Sequence, residues 1–493
     1  MYKVKNVFID YGRVPVVFLN KNSDIVKKEG FSALNRVKIF NDGKVLNATL
    51  CLLNNDILGN DEIGLSKKAF KILKPKENEK FDITYMEATP SFNNVRGKLR
   101  GIPFSEKGLY DVLKDVVEYK YSDMQTACLC AATEGNQLSG DEIYYLAKAM
   151  IDTGKRVKWD YDMVVDKHCI GGVPGNRTTI LTIPIVAAFG LKIPKTSSRA
   201  ITSPSGTADT MEVLTNVDIP TDKMKEIVKN VGGCVIWGGG VDLNPSDDII
   251  IKVKKDLNFD SKGQMLASIV SKKVAAGSTH ILVDIPYGIT AKCKDLKSAN
   301  ILARDFEELG KKLGVVIKTT KTDGSQPIGN GIGPALEARD IVMILENDPK
   351  APQDLLKKTI YVAGKVLEFS PKVKEGEGEK VAEELLKSGK ALKKFKEICE
   401  AQGGLKEIPV AKYTKDVLAY CDGTIREFDN KKISQIARLA GCPSKKASGL
   451  YLNVHLNDKV KKGDVLFTIH SESEGELELA YNYSVTENVI TIA

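Results

Sequence analysis

The chain has little that would anchor it in a membrane or cross-link it covalently. No apolar run in its 493 residues approaches the roughly 18 residues that cross a bilayer. The opening stretch MYKVKNVFIDYG has no signal-peptide core, so a cytoplasmic location is expected. Nine cysteines is an odd count, and they are scattered without paired spacing. Cys128 and Cys130, two apart on an expected helix, point to different faces. Free thiols in a reducing compartment fit this pattern better than a disulfide framework. No metal-ligand cluster stands out, so neither a metal nor an organic cofactor is expected. A GxxxxGK[ST] loop is missing. GNGIGP, residues 329–334, lacks both the full GxGxxG and an acidic residue on a following strand, and reads as a turn. The charge excess is slight: 72 basic against 64 acidic residues, net +8. Spread along the chain, it implies a solvated surface with mild attraction for anions, which argues against nucleic acid and membrane as partners.

What is present is enough for several cores. A chain of this length with 42% hydrophobic residues is expected to form two to four domains. The reading is an α/β multidomain protein. Residues 1–84 alternate short apolar runs (VFID, VVFLN, RVKIF, KVLNATLCLL) with turns, forming a strand-rich α/β domain with a helix near Ser66–Leu73. It carries no catalytic constellation and reads as a structural or assembly unit. Residues 92–158 turn helical, with Ser122 and Ser139 as expected N-caps. Residues 159–345 alternate strand and helix, implying a central domain with a largely parallel sheet. Its expected strands are KIPKTS, GCVIWGGG, DDIIIKVK, HILVDIPYG and GVVIKTTKT. A helical connection over 346–409 leads to a strand-rich, α+β barrel-like domain at 410–493.

The chemistry concentrates between Asp166 and Leu214, DKHCIGGVPGNRTTILTIPIVAAFGLKIPKTSSRAITSPSGTADTMEVL. Two polar, glycine-bearing loops, 167–179 and 196–207, frame an apolar segment long enough for about three helical turns. Glycines let backbone N–H groups approach a ligand, and a helix opening after them favours anions. Lys167 adds a point charge, and the Thr and Ser residues add hydroxyls. From composition alone, one divided oxyanion site, two sites, or merely solvated turns remain open.

DKHxxGGVxxxxT followed by SSRAITSPSGTADTMEVL resembles the signature of the thymidine/pyrimidine-nucleoside phosphorylase family. The wording is closest to its archaeal branch, which acts on AMP. The similarity runs from about Asn94 to the C-terminus, with an N-terminal portion typical of that branch. KKGDVLFTI resembles the family's barrel-like C-terminal domain, without a biotinyl-type attachment lysine. By position, the resemblance implies that Lys167, Thr179, Ser197 and Thr207 contact inorganic phosphate. Gly172, Ser198, Arg199, Ala200, Ile201, Thr202, Ser203, Thr207, Ser268 and Lys292 would hold AMP, and Asp260 would be the proton donor. Cys169 stands where the family has a hydroxyl residue. Counting back from Ser268, Val253 stands where pyrimidine phosphorylases have a base-binding arginine.

The reaction so implied is AMP + phosphate = adenine + ribose 1,5-bisphosphate, with CMP and UMP as further candidate substrates and phosphate as co-substrate. Lys167 would offset the repulsion between two anions, and Asp260 would protonate the departing base. A homodimer or larger homo-oligomer is implied, as is hinged closure, with glycine-bearing joins near Gly171 and Gly238–Gly240. The alternatives are a pyrimidine nucleoside phosphorylase and a nucleotide-binding assembly protein without turnover.

Overall fold

The computed structural model describes the chain except Arg13, Asn55, Asp56, Glu77, Asn78, Asn136, Gln137, Ile201, Thr202, Asp242 and Asp260. It divides into two compact units, residues 1–155 with 244–271, and residues 156–243 with 272–493.

The first unit opens with a closed barrel. Its strand order is Tyr2–Asn6, Glu62–Leu65, Val16–Asn20, Lys44–Leu53, Arg36–Asn41 and Lys80–Tyr85. Closure leaves no free sheet edge, and Val17, Leu19, Val37, Ile39, Leu50, Ile63 and Phe81 fill the interior. The helix Lys67–Leu73 starts where Ser66 accepts the amide of Ala69. Helices Glu106–Val117, Asp123–Ala132 and Gly140–Asp152 follow. Ser122 and Ser139 cap the last two in reciprocal boxes with Gln125 and Glu142, satisfying two orphan amides at each start.

DDIIIKVK corrects the sequence reading, because it lies in a helix, Pro245–Leu257. The β-branched isoleucines suggested a strand, but the ends decide otherwise. Asn244 caps the start, Pro245 occupies the first turn, and Asn258 ends the helix in the left-handed conformation. Ile250 and Val253 are buried on its packed face. Residues 244–271, read from the sequence as part of a continuous 159–345 domain, group with the first unit.

The second unit is built on parallel strands. His280–Tyr287 lies between Val316–Asp323 and Val165–Cys169. Ile193–Ser197 pairs with Gly233–Trp237, again in parallel. A parallel bridge from Val164 to Lys192 joins the two sets. The helix Thr178–Phe189 is buried over Thr178–Ala187 and carries Pro184 inside it. Helices from the expected connection, Gln353–Leu367 and Lys390–Ala401, share its hydrophobic cluster. That segment is therefore part of the core. The C-terminal residues form two small antiparallel sheets with helices Asn430–Leu439 and Glu474–Thr486 over a shared core. The stretch 474–486, read from the sequence within a strand-rich run, is thus helical. Among the described residues, no helix is long and apolar enough to cross a membrane.

GNGIGP, read from the sequence as a turn, includes a short strand, Gly331–Ile332, paired with Tyr451 and Leu450, and Asp340 accepts the amides of Asn330 at 2.8 Å and Gly331 at 2.7 Å. Burial pushes the Asp340 carboxyl up to about 7, although those two amides oppose the shift. A carboxyl raised in the folded state keeps its proton where the unfolded chain has lost it. Stability therefore falls as pH rises from roughly 4 to 7. Asp340→Asn imitates the neutral form. It is expected to melt like the parent at about pH 4 and below, and to exceed it at pH 8 by a few kcal/mol at most, about 1.4 per pKa unit. Parallel melting curves for the two proteins across this range would refute the assignment.

Candidate active site

Both glycine-bearing loops leave the carboxyl ends of neighbouring parallel strands. The first follows Val165–Cys169 and the second follows Ile193–Ser197. Each leads into a helix, Thr178–Phe189 and Thr207–Leu214. The carboxyl edge of a parallel sheet is where such folds bind ligands, and the two helix starts add unpaired amides to it.

Beneath the first loop Lys167 is fully buried. Its Nζ donates to the hydroxyls of Thr178 at 2.7 Å and Thr179 at 3.2 Å, and lies 3.8 Å from Asp284 Oδ2. Lys358 Nζ is 3.6 Å from the same oxygen. A second cluster lies alongside. Asp166 pairs with Lys195 at 3.1 Å and Lys273 at 2.8 Å. Lys195 also donates to the Lys167 carbonyl at 2.7 Å, and Lys273 donates to the Thr196 carbonyl at 3.3 Å. Each cluster sets two ammonium groups against one carboxylate, a net of +1 when all are ionised.

Burial of charge is costly, and the partners set who keeps it. Burial pushes Asp166 up, but Lys195 and Lys273 outweigh it and hold the carboxyl below its ordinary range. Asp284 is held down likewise by Lys358, Lys167 and the Thr322 hydroxyl. Burial lowers Lys167, and lowers Lys195 well below the ordinary lysine value. His168 is half-buried. Burial and the neighbouring Lys273 and Lys195 drive its pKa well down, so the ring is neutral at pH 7.

Cys169 takes up the hydroxyl position differently. Its sulfur accepts from the Gly171 amide at 3.5 Å and from Asn176 Nδ2 at 3.3 Å. Burial raises the thiol pKa, which makes it a loop fastener and a poor nucleophile. A serine hydroxyl can accept both bonds. Cys169→Ser is expected to keep turnover within about threefold; a KM for phosphate changed by more than tenfold would contradict this reading.

Gly172 has φ +90, and a Cβ there would lie 2.5 Å from the Lys292 amide nitrogen. The close approach brings together two residues 120 apart in sequence that the resemblance assigned to one ligand. Both are exposed. In the second loop, Arg199 makes a bidentate pair with Glu212, both bonds 2.6 Å, and lies over the Trp237 ring at 5.1 Å. The pair to Arg199 pulls the Glu212 carboxyl down to about 2. Asp209 accepts the amides of Ala200 at 2.7 Å and Gly206 at 2.9 Å, closing the loop on itself. Arg199 therefore shapes the loop. Arg177 bonds the Ser205 carbonyl and pairs with Glu337 at 2.5 Å, while Thr210 donates to Glu337 at 2.7 Å, so the two loops share one anchor. Ser198 and Ser203 are exposed, and Ser197 and Thr207 are half-buried. Ile201, Thr202 and Asp260 lie outside the described residues.

Ser268 belongs to the first unit, where its hydroxyl donates to Asp247 at 2.8 Å. Val253 is buried. Lys254, seven residues after Asp247, shares its helix face and is half-buried. Sequence reasoning missed Asp284, Lys358, Lys195 and Lys273 as members of the charge clusters. The available signal was a charged residue inside strands expected to be buried on both faces, as in HILVDIPYG and KIPKTS.

The fold is that of the anthranilate phosphoribosyltransferases. The enzyme of Thermus thermophilus superposes with TM-score 0.51 at 18% identity, over 63% of this chain and 99% of its own. That of Saccharomyces cerevisiae superposes with TM-score 0.51 at 15% identity, over 64% and 98%. Residues 161–392 match the glycosyl transferase family a/b domain, and 424–491 the pyrimidine nucleoside phosphorylase C-terminal domain. The class is thus a pentosyl-transferring enzyme with an α/β active domain. A protein of Legionella pneumophila (strain Corby) named "Putative thymidine phosphorylase" is 44% identical over 478 residues, 97% of this chain and 92% of its own length. A protein of the same name from Polaromonas sp. is 42% identical over 485 residues, covering 98% and 95%. The chain belongs to the thymidine/pyrimidine nucleoside phosphorylase family.

Proposed function

We propose that the enzyme carries out phosphorolysis of nucleoside 5'-monophosphates, with AMP as its substrate and inorganic phosphate as the nucleophile. A phosphate oxygen attacks the anomeric carbon, the bond from that carbon to the base nitrogen breaks, and the base leaves with a proton. The products are adenine and ribose 1,5-bisphosphate. The observation that carries the reading is convergence at one sheet edge. Lys167 with Thr178 and Thr179 lies under the first loop, and Gly172 of that loop abuts Lys292. The two loops present separate helix starts, which suits a reaction that must hold two anions. Inorganic phosphate is assigned to Lys167, Thr179, Ser197 and Thr207. The nucleotide is assigned to Gly172, Ser198 to Ser203, Thr207, Ser268 and Lys292. Asp260 is assigned as the acid, a role that requires a pKa raised from about 3.9. The chemistry calls for no metal or organic cofactor, and the assembly is assigned as a homodimer or larger homo-oligomer in the cytoplasm.

A second reading, phosphorolysis of thymidine, is supported by the names of the relatives. Incubation with phosphate and AMP, adenosine or thymidine, followed by chromatography of the released base, separates the two. Adenine from AMP alone supports the nucleotide reading, and thymine from thymidine supports the second. Release from none would leave only a nucleotide-binding assembly protein.

A further inference from the structure

Lys358 projects from the helix Gln353–Leu367, far in sequence from both glycine-bearing loops. Its side chain is 7% exposed, and its Nζ has no hydrogen-bond partner among the described residues. The nearest anion, Asp284 Oδ2, is 3.6 Å away and is likewise without a hydrogen bond. That oxygen is shared with Lys167, 3.8 Å away on its own approach, while Asp284 Oδ1 is occupied by the Thr322 hydroxyl at 2.6 Å. Asp284 therefore supplies half the charge that the two lysines need and too few acceptors for their protons. Lys167 places two protons on Thr178 and Thr179; Lys358 has no such outlet. A buried ammonium without acceptors is unfavourable unless something with oxygen atoms and negative charge completes it.

We propose that Lys358 is a second phosphate-binding cation, donating to the oxygens of inorganic phosphate beside Lys167. Asp284 is then the spacer that holds the two ammonium groups apart while the site is empty. The proposal rests on the phosphorylase reading and adds to it a residue outside the loop motifs.

The test uses the full-length chain and Lys358→Met, which keeps volume and removes charge. KM for phosphate is expected to rise roughly 10- to 100-fold, the worth of a hydrogen bond to a charged group. KM for the nucleotide or nucleoside substrate should stay within twofold. Inorganic phosphate should raise the melting temperature of the parent and do so far less for the variant. A folded Lys358→Met with parental KM for phosphate would overturn the proposal and leave Lys358 as a counter-ion of Asp284, with the phosphorylase reading intact. If the single variant does not fold, Lys358→Met combined with Asp284→Asn removes one charge of each sign. That pair should fold, and it must show the same loss of phosphate response for the proposal to stand. A parent that neither responds to phosphate nor releases base would remove the proposal and the phosphorylase reading together.

Discussion

Lys167→Met is expected to lose phosphorolysis by about a thousandfold while remaining folded. Lys167 is the only described group that touches, at once, both hydroxyls at the start of the helix Thr178–Phe189 and the Asp284 carboxylate. Its charge sits at zero exposure, where the surroundings screen it far less than water would. A preorganised donor of that kind is worth roughly 10²–10³ in turnover when removed from a charge-stabilising site. Loss of the positive charge opposite a phosphate dianion takes the figure to the upper end. Methionine fills most of the volume, and Asp284 keeps Lys358 and Thr322, so no carboxylate is left bare. The measurement is base release at saturating nucleotide across a phosphate series, with circular dichroism as the fold control. Turnover within tenfold of the parent would remove Lys167 from the chemistry.

How much of this could be read in advance depends on the range of the interactions. The two loops, the helix between them and the N-caps at Ser122 and Ser139 are set by residues within a few positions of each other, and all were legible. The helix Pro245–Leu257 was misread because DDIIIKVK was weighed by β-branched content, whereas Asn244, Pro245 and Asn258 fix the ends. The charge clusters were invisible for a different reason. Asp284 faces Lys167 through strand pairing, in which Leu282 registers with Lys167 and Asp284 with Cys169, and Lys358 arrives from a helix nearly two hundred residues downstream of Lys167. Sequence spacing carries no trace of such a meeting. Arg199 has a local partner that its motif did not reveal, since its guanidinium pairs with Glu212.

The clusters also fix where the two loops begin. The Lys195 and Lys273 ammonium groups bind the carbonyls of Lys167 and Thr196, where the two strands end. Each strand terminus is thereby fixed from below by a charge that Asp166 neutralises in part.

Asp166→Asn should therefore be the most destabilising single change in this region, by about 3–5 kcal/mol, the usual cost of removing one partner from a buried ion pair. Asparagine can still accept the Lys167 amide that now bonds Asp166 at 2.7 Å, so the backbone geometry is preserved and the loss isolates charge. Two buried ammonium groups would face each other with no anion between them. The pH dependence follows from the direction of the lysine shift. Burial already lowers Lys195 in the parent, and loss of Asp166 must lower it further. A lysine depressed in the folded state binds fewer protons than in the unfolded chain, so stability rises with pH up to the unfolded value near roughly 10.4. The deficit of the variant is thus largest at low pH and narrows as pH climbs to the parent's own depressed lysine value, above which both folded forms hold that lysine neutral. Thermal midpoints of parent and variant at pH 6, 8 and 9.5 read this directly. A deficit that stayed constant, or grew with pH, would mean that Asp166 acts through its hydrogen bonds alone and that the cluster holds no excess positive charge.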